Sequence, residues 1–150
     1  MSYPTEPDYI QIMVKVGTAY TMLCGFEGAT LNKAIQTNDR YRRDCAKPAA
    51  IPDRSVRVTG RSWDISGTGV VNMDQFDLYE DVLGAHSDFR LLYGRYDNAL
   101  TDGERTGSIY GYRDGKGVMT SHNETLSEDS TAELAIAGEG KLSWTAGAPA

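Results

Sequence analysis

The sequence predicts a mainly β protein: a β-sandwich or barrel-like sheet with one flanking α-helix near residues 72–84 and a long loop near 36–54. Three observations predict it. Most of the chain alternates apolar and polar residues with period two and is cut by glycine, and its 16 glycines and nine tyrosines suit strands and turns. One stretch, Asn72 to Gly84, repeats at three- and four-residue steps instead. A third, Gln36 to Pro52, is polar and basic and keeps neither period over its 17 residues.

In chain order, residues 1–9 carry two prolines and read as an extended N-terminal arm. Strands are expected at Ile10 to Val16, at about Tyr20 to Phe26 and at about Thr30 to Gln36, with turns near Gly17 and Gly28. After the long loop, Val56 and Val58 alternate with Arg57 and Thr59, which predicts one buried and one wet face. Trp63 and Ile65 continue the apolar set, with Gly67 and Gly69 marking a bend. In the helix, Asn72 caps the first turn, Asp74 sits near the positive end of the dipole and Gly84 supplies a left-handed stop. Its packing face is expected to be Phe76, Tyr79, Val82 and Leu83, with Asp74, Asp77, Glu80 and Asp81 outward. A strand at about Phe89 to Tyr96 comes after the helix. Next comes a hairpin with arms Ser108 to Arg113 and Val118 to Leu126 around an Asp114–Gly117 turn. The last strand, Thr131 to Trp144, puts Ala132, Leu134 and Ile136 on one face, and residues 145–150 read as a loose tail.

At 150 residues, one domain spanning 1–150 is the default, and it can bury about two-thirds of the surface its unfolded chain exposes. No apolar run reaches the roughly 20 residues a membrane span needs, and the N-terminus has no secretory pattern, so synthesis in a cytoplasm is expected. Cys24 and Cys45 form no CxxC motif and read as free thiols. The net charge of −6 is unevenly spread: Arg40 to Arg61 holds seven basic residues against two acidic ones, leaving the remainder strongly acidic. Such a body is a poor DNA-wrapping surface but suits one that docks onto copies of itself.

No active site emerges. His86 and His122 stand at no metal-ligand spacing with each other or with either cysteine, and read as ordinary surface or turn histidines. Gly111 to Gly117, GYRDGKG, fails as a phosphate loop because its Gly-Lys pair is followed by glycine and its leading position is Tyr110. The helix acids lack the loop geometry of a calcium site. Tyr93, Tyr96, Tyr110 and Tyr112 fall at strand spacing and could stack bases or sugars; with no basic residues expected among them, packing or self-association is favoured. No enzyme chemistry, metal or cofactor is expected. The alternative to a structural role is a ligand- or carbohydrate-binding β-sandwich module.

Two signatures bear on family. GRSWDISGTGVV, Gly60 to Val71, leads directly into the acidic helix, and the closing run from Gly111 ends in a Gly-x-Gly-x-Leu pattern at Gly138, Gly140 and Leu142. In their order and spacing, over about residues 10–144, they resemble the major tail tube proteins of long-tailed, non-contractile bacteriophages and of gene transfer agents. That resemblance implies a structural virion protein, made in the host bacterial cytoplasm, that self-assembles into stacked six-membered rings. The rings form a hollow tube through which DNA passes without specific binding, for DNA ejection. It also implies a tape-measure protein in the lumen, a tail terminator and tail-tip proteins as further partners, and no membrane partner. By position, the long loop is the one that reaches the neighbouring ring, so Arg40, Arg42, Arg43, Lys47 and Arg54 are the expected inter-ring contacts.

Overall fold

The computed structural model describes residues 5–97 and 106–149. Seven strands form one antiparallel sheet: β1 (Tyr9–Val16), β2 (Ala19–Met22), β3 (Phe26–Arg42), β4 (Asp53–Val70), β5 (His86–Tyr96), β6 (Gly107–Thr125) and β7 (Thr131–Ala146). Their order is β2-β1-β5-β6-β7-β4-β3. The sheet rolls over so that its second strand faces its sixth: a Cβ added to Gly67 of β4 would sit 3.0 Å from Ile12 Cδ1 of β1. Alternate residues fill the space so enclosed. Ile12 and Val14, Trp63 and Ile65, Phe89 and Leu91, Met119, and the expected Ala132, Leu134 and Ile136 are all 3% exposed or less.

The helix is shorter than its sequence pattern. Asn72 Oδ1 accepts from the Asp74 amide at 3.1 Å, as a cap should, but the first turn is 3-10 (Met73–Gln75) and α1 proper runs Phe76–Val82. α1 is therefore only seven residues long: Phe76 opens it, and Leu83 lies past its end in extended backbone at φ −61° and ψ 118°. Tyr79 and Val82 enter the core and Leu78 packs against it, while Phe76 and Leu83 remain 36% and 40% exposed. The Tyr79 hydroxyl donates to the Cys24 carbonyl at 3.1 Å, and Gln75 bonds the backbone of Met22 and Cys24, so the segment is tied to the β2–β3 turn. Gly84 ends it at φ +80°. Phe76→Ala should therefore cost only about half of the roughly 3–5 kcal/mol that a fully buried phenylalanine would, and less than Tyr79→Ala, as read by urea unfolding.

Burial of Tyr79, with minor help from Cys24 and Glu124, pushes its phenol up to about 12. A group that ionises at 10 unfolded and at 12 folded contributes fully below pH 10 and loses that contribution as pH rises from 10 to 12. The loss, on the order of 2 kcal/mol, should be absent from Tyr79→Phe when unfolding is compared at about pH 9 and about pH 11.5.

Three expectations give way. Asp114 to Gly117 is not a hairpin turn: β6 runs unbroken through it, pairing Gly115 with Phe89 and Gly117 with Ser87, with only a bulge between Asp114 and Lys116 against β7. Gln36 to Arg54 is loop only at residues 43–52. β3 and β4 stay paired from Gln36↔Gly60 to Arg42↔Asp53, so the segment is a projecting hairpin whose tip is residues 43–52. Nor do Val56 and Val58 face a core; on this arm they are 51% and 57% exposed. At the termini, Asp8 is fixed to β5, its amide on the Gly94 carbonyl and its carboxylate on the Tyr96 amide, and the Gly147 amide reaches the Tyr110 carbonyl. The parts of the N-terminal arm and tail at residues 1–4 and 150 lie outside the described residues.

Candidate functional site

The arm has two unlike faces, and strand register determines them. Residues paired across antiparallel strands share a face. Arg40↔Ser55, Arg42↔Asp53 and Asn38↔Arg57 put Arg40, Arg42 and Arg57 on one side, where they line a shallow groove with Asn38 and Ser55. Thr37↔Val58, Asp39↔Val56 and Tyr41↔Arg54 form the other. There Arg54 is neutralised by Asp39 at 3.0 Å, among the exposed Tyr41, Val56 and Val58. Arg43 and Lys47 belong to the tip, which Asp44 organises: its carboxylate accepts from the Ala46 amide and its carbonyl from the Lys47 amide, while Arg43 Nη1 donates to the Pro48 carbonyl at 2.6 Å. Of the five expected contact residues, the fold thus groups Arg40 and Arg42, moves Arg54 to the opposite face and sets Arg43 and Lys47 beyond them. Arg57 joins the group unexpectedly. Only knowledge that the segment is a hairpin in this register would have found it.

The opposite end of the molecule is acidic. β4 ends against the start of β7, Val70↔Thr131, beside the β2–β3 turn, the helix and the β6–β7 turn. Residues 22–30, 66–85 and 120–135, which make up this end, contain nine acidic residues and neither lysine nor arginine. Cations crowd one end of a strand 18 residues long, anions the other.

The tyrosines do not form one platform. Tyr93 shares the core side with Trp144, at 5.5 Å between rings, and Arg113 lies over both. On the other face, Arg90 is stacked between Tyr20 and Tyr112 at 3.8 and 4.5 Å and clamped by Asp114 at 2.7 and 3.2 Å; Tyr110, under Arg95, borders a pocket with Tyr93 and Trp144. The hydrogen bond to Asp114 is the main reason the Arg90 guanidinium is held above its ordinary range. The sequence expectation that no basic residues interleave is corrected: arginines separated by strand crossings meet the rings in space. Each of these arginines covers a ring face, while Tyr93, Tyr110 and Trp144 also line an open pocket of about 460 Å³ with Thr5, Glu6 and Pro7.

His86 pairs with Glu139 on the surface. His122 is not a surface residue: its side chain is 8% exposed, stacked on Tyr79 at 4.4 Å and edge-on to Phe26. Among the described residues no group of three or more His, Cys, Asp or Glu could hold a metal ion, and Cys24 and Cys45 are free and exposed.

Solved structures share this architecture. The tail of an empty gene transfer agent particle, refined with helical and C6 symmetry, aligns with a TM-score of 0.61 at 20% identity, covering 91% of this chain and 96% of that one. The SPP1 tail tube aligns with a TM-score of 0.58 at 8% identity, covering 95% and 80% respectively. The chain has the tail tube fold. The same fold extends to a contractile relative: a sheath–tube complex of an extracellular contractile injection system aligns at 0.57 with 15% identity, covering 96% and 93%. No protein-family model and no curated protein matches the sequence. Within the tail tube fold, the basic arm is the β3–β4 hairpin and the acidic helix packs across the rolled sheet.

Proposed function

We propose that this chain is a non-catalytic structural subunit that assembles into six-membered rings and stacks them into the hollow tail tube of a phage-like particle, a conduit for DNA. The observation that carries the reading is the polarity of the molecule on this fold: a two-stranded basic arm at one end and an acidic face at the other. Head-to-tail stacking brings those ends together, and it repeats without limit because the contact is heterologous. Within a ring, the edges of the sheet supply the joints. β2 is only four residues long, whereas β3 presents 17 residues of strand with no further strand paired to it among the described residues, the kind of edge that soluble proteins usually blunt. The exposed Ile35, Tyr41, Val56 and Val58 on the arm also suit a surface that is covered on assembly.

In such a tube the basic hairpin reaches the neighbouring ring, a tape-measure protein occupies the lumen during assembly, and terminator and tail-tip proteins close the ends. A lumen with an acidic lining would let the duplex slide, since it offers DNA no counterion-releasing contacts. Electron microscopy of the purified protein is the direct test. Rings or tubes with a central pore are expected; a species that stays monomeric at high concentration overturns the reading.

A further inference from the structure

A cleft opens where β4 and β7 separate. The two strands pair from Val70↔Thr131 to Asp64↔Ala137; beyond that β4 continues with β3 into the arm, while β7 continues with β6. The gap, about 200 Å³, is lined by Lys33, Arg61 and Lys141 together with Ile35, Trp63 and Leu142. It is smaller than the roughly 300–1,000 Å³ typical of cofactor and small-molecule sites, and has room for a side chain or two. Its three cations are exposed and have no ion-pair partner among the described residues. Trp63, 3% exposed, forms the apolar wall, and its indole N–H meets no acceptor among those residues.

We propose that this cleft receives the β6–β7 turn of a second copy, Leu126 to Asp129. The proposal rests on the head-to-tail stacking reading and names the acceptor at the root of the arm. The turn has the complementary chemistry: Leu126 is 74% exposed, and Glu128 and Asp129 come two and three positions later, both exposed. Three cations around an apolar wall meet two carboxylates beside one aliphatic side chain. The turn cannot reach the cleft of its own chain, because about ten residues of extended β7, roughly 35 Å, separate Asp129 from Gly140. A contact between these two sites therefore joins opposite ends of different copies. The other acidic candidate, the helix, carries Asp74, Asp77, Glu80 and Asp81, but a helix about 10–12 Å across does not enter a gap of this size.

The test uses the full-length protein and a charge exchange. Arg61→Glu with Lys141→Glu should raise the concentration needed for tubes by roughly tenfold or more while thermal unfolding of the subunit stays unchanged. Glu128→Lys with Asp129→Lys should do the same, and combining both pairs should restore tubes. Leu126→Asn, far from any core contact, should weaken tubes without a charge change. Tubes unaffected by either reversal, or no recovery in the exchanged protein, overturn the proposal. If Arg40→Glu with Arg42→Glu abolishes tubes while the cleft reversals do not, the stacking reading stands and the cleft assignment falls. If the unaltered protein forms neither rings nor tubes, both fall.

Discussion

Trp63→Ala should destabilise the subunit by about 3–5 kcal/mol in urea unfolding, and Gly138→Ala should approach it for the same reason seen from the other side. Trp63 is 3% exposed, and its ring lies across bare backbone: a Cβ built on Gly138 would sit 2.1 Å from two of its ring carbons, and one on Gly115 would sit 2.4 Å from another. The rigid indole sits in one core cluster with Ile65 and Ile136, with Leu142 packed against that cluster, so it cannot yield as a flexible side chain would. Overpacking of this kind ordinarily costs about 1–3 kcal/mol, and contacts this short place Gly138→Ala at or above the top of that range. The two changes should not add. With Trp63 already alanine, Gly138→Ala meets empty space and relieves the roughly 0.5–1 kcal/mol entropic cost of glycine in a strand, so its sign should reverse. Additive losses would show that Gly138 is glycine for some other reason.

The same pair explains which parts of the fold were legible. Ala132, Leu134 and Ile136 alternate on one strand with one buried face, and local periodicity shows that directly. Tyr79 and Val82 were legible from helical spacing, but the early end of α1 at Val82, which leaves Leu83 in extended backbone and 40% exposed, left no trace in the pattern. GYRDGKG was misread because the glycines of β6 answer to side chains far away in sequence. Gly115 makes room for Trp63 and Gly111 for Trp144, where a Cβ would come within 2.6 Å of the ring. An Asp-Gly pair supports a turn only if the flanking strands pair with each other, and here the arm before Asp114 pairs with β5 while the arm from Met119 on pairs with β7. The arm was hidden for the opposite reason. With solvent on both faces, Gln36 to Arg42 shows no hydrophobic period, and only its pairing with the alternating Val56 and Val58 strand, which brings Arg57 beside Arg40 and Arg42, reveals that it is strand.

Reversing Arg40 and Arg42 to glutamate should abolish ring stacking while leaving the subunit folded. Both side chains are exposed, both line the groove that Arg57 shares, and neither touches the core, so unfolding should shift by no more than about 0.5 kcal/mol. Arg43 is a poorer choice than position alone suggests, because its guanidinium holds the tip at Pro48 and its loss would alter the arm itself. Arg54 is poorer still, being already paired with Asp39. An exposed ion pair contributes about 0.2–1 kcal/mol, and reversal replaces attraction with repulsion, so two reversals should change each arm contact by about 1–3 kcal/mol. In the six-membered ring proposed above, that penalty would recur at every subunit and turn a modest local change into loss of the tube. Salt supplies an independent check. Raising ionic strength from about 0.1 to about 1 M shortens the screening length from about 10 to about 3 Å, so it should weaken stacking of the unaltered protein and do little further to the variant. Tubes that survive both the reversal and the salt would place the ring-to-ring contact on the apolar face of the arm, at Tyr41, Val56 and Val58, rather than on its arginines.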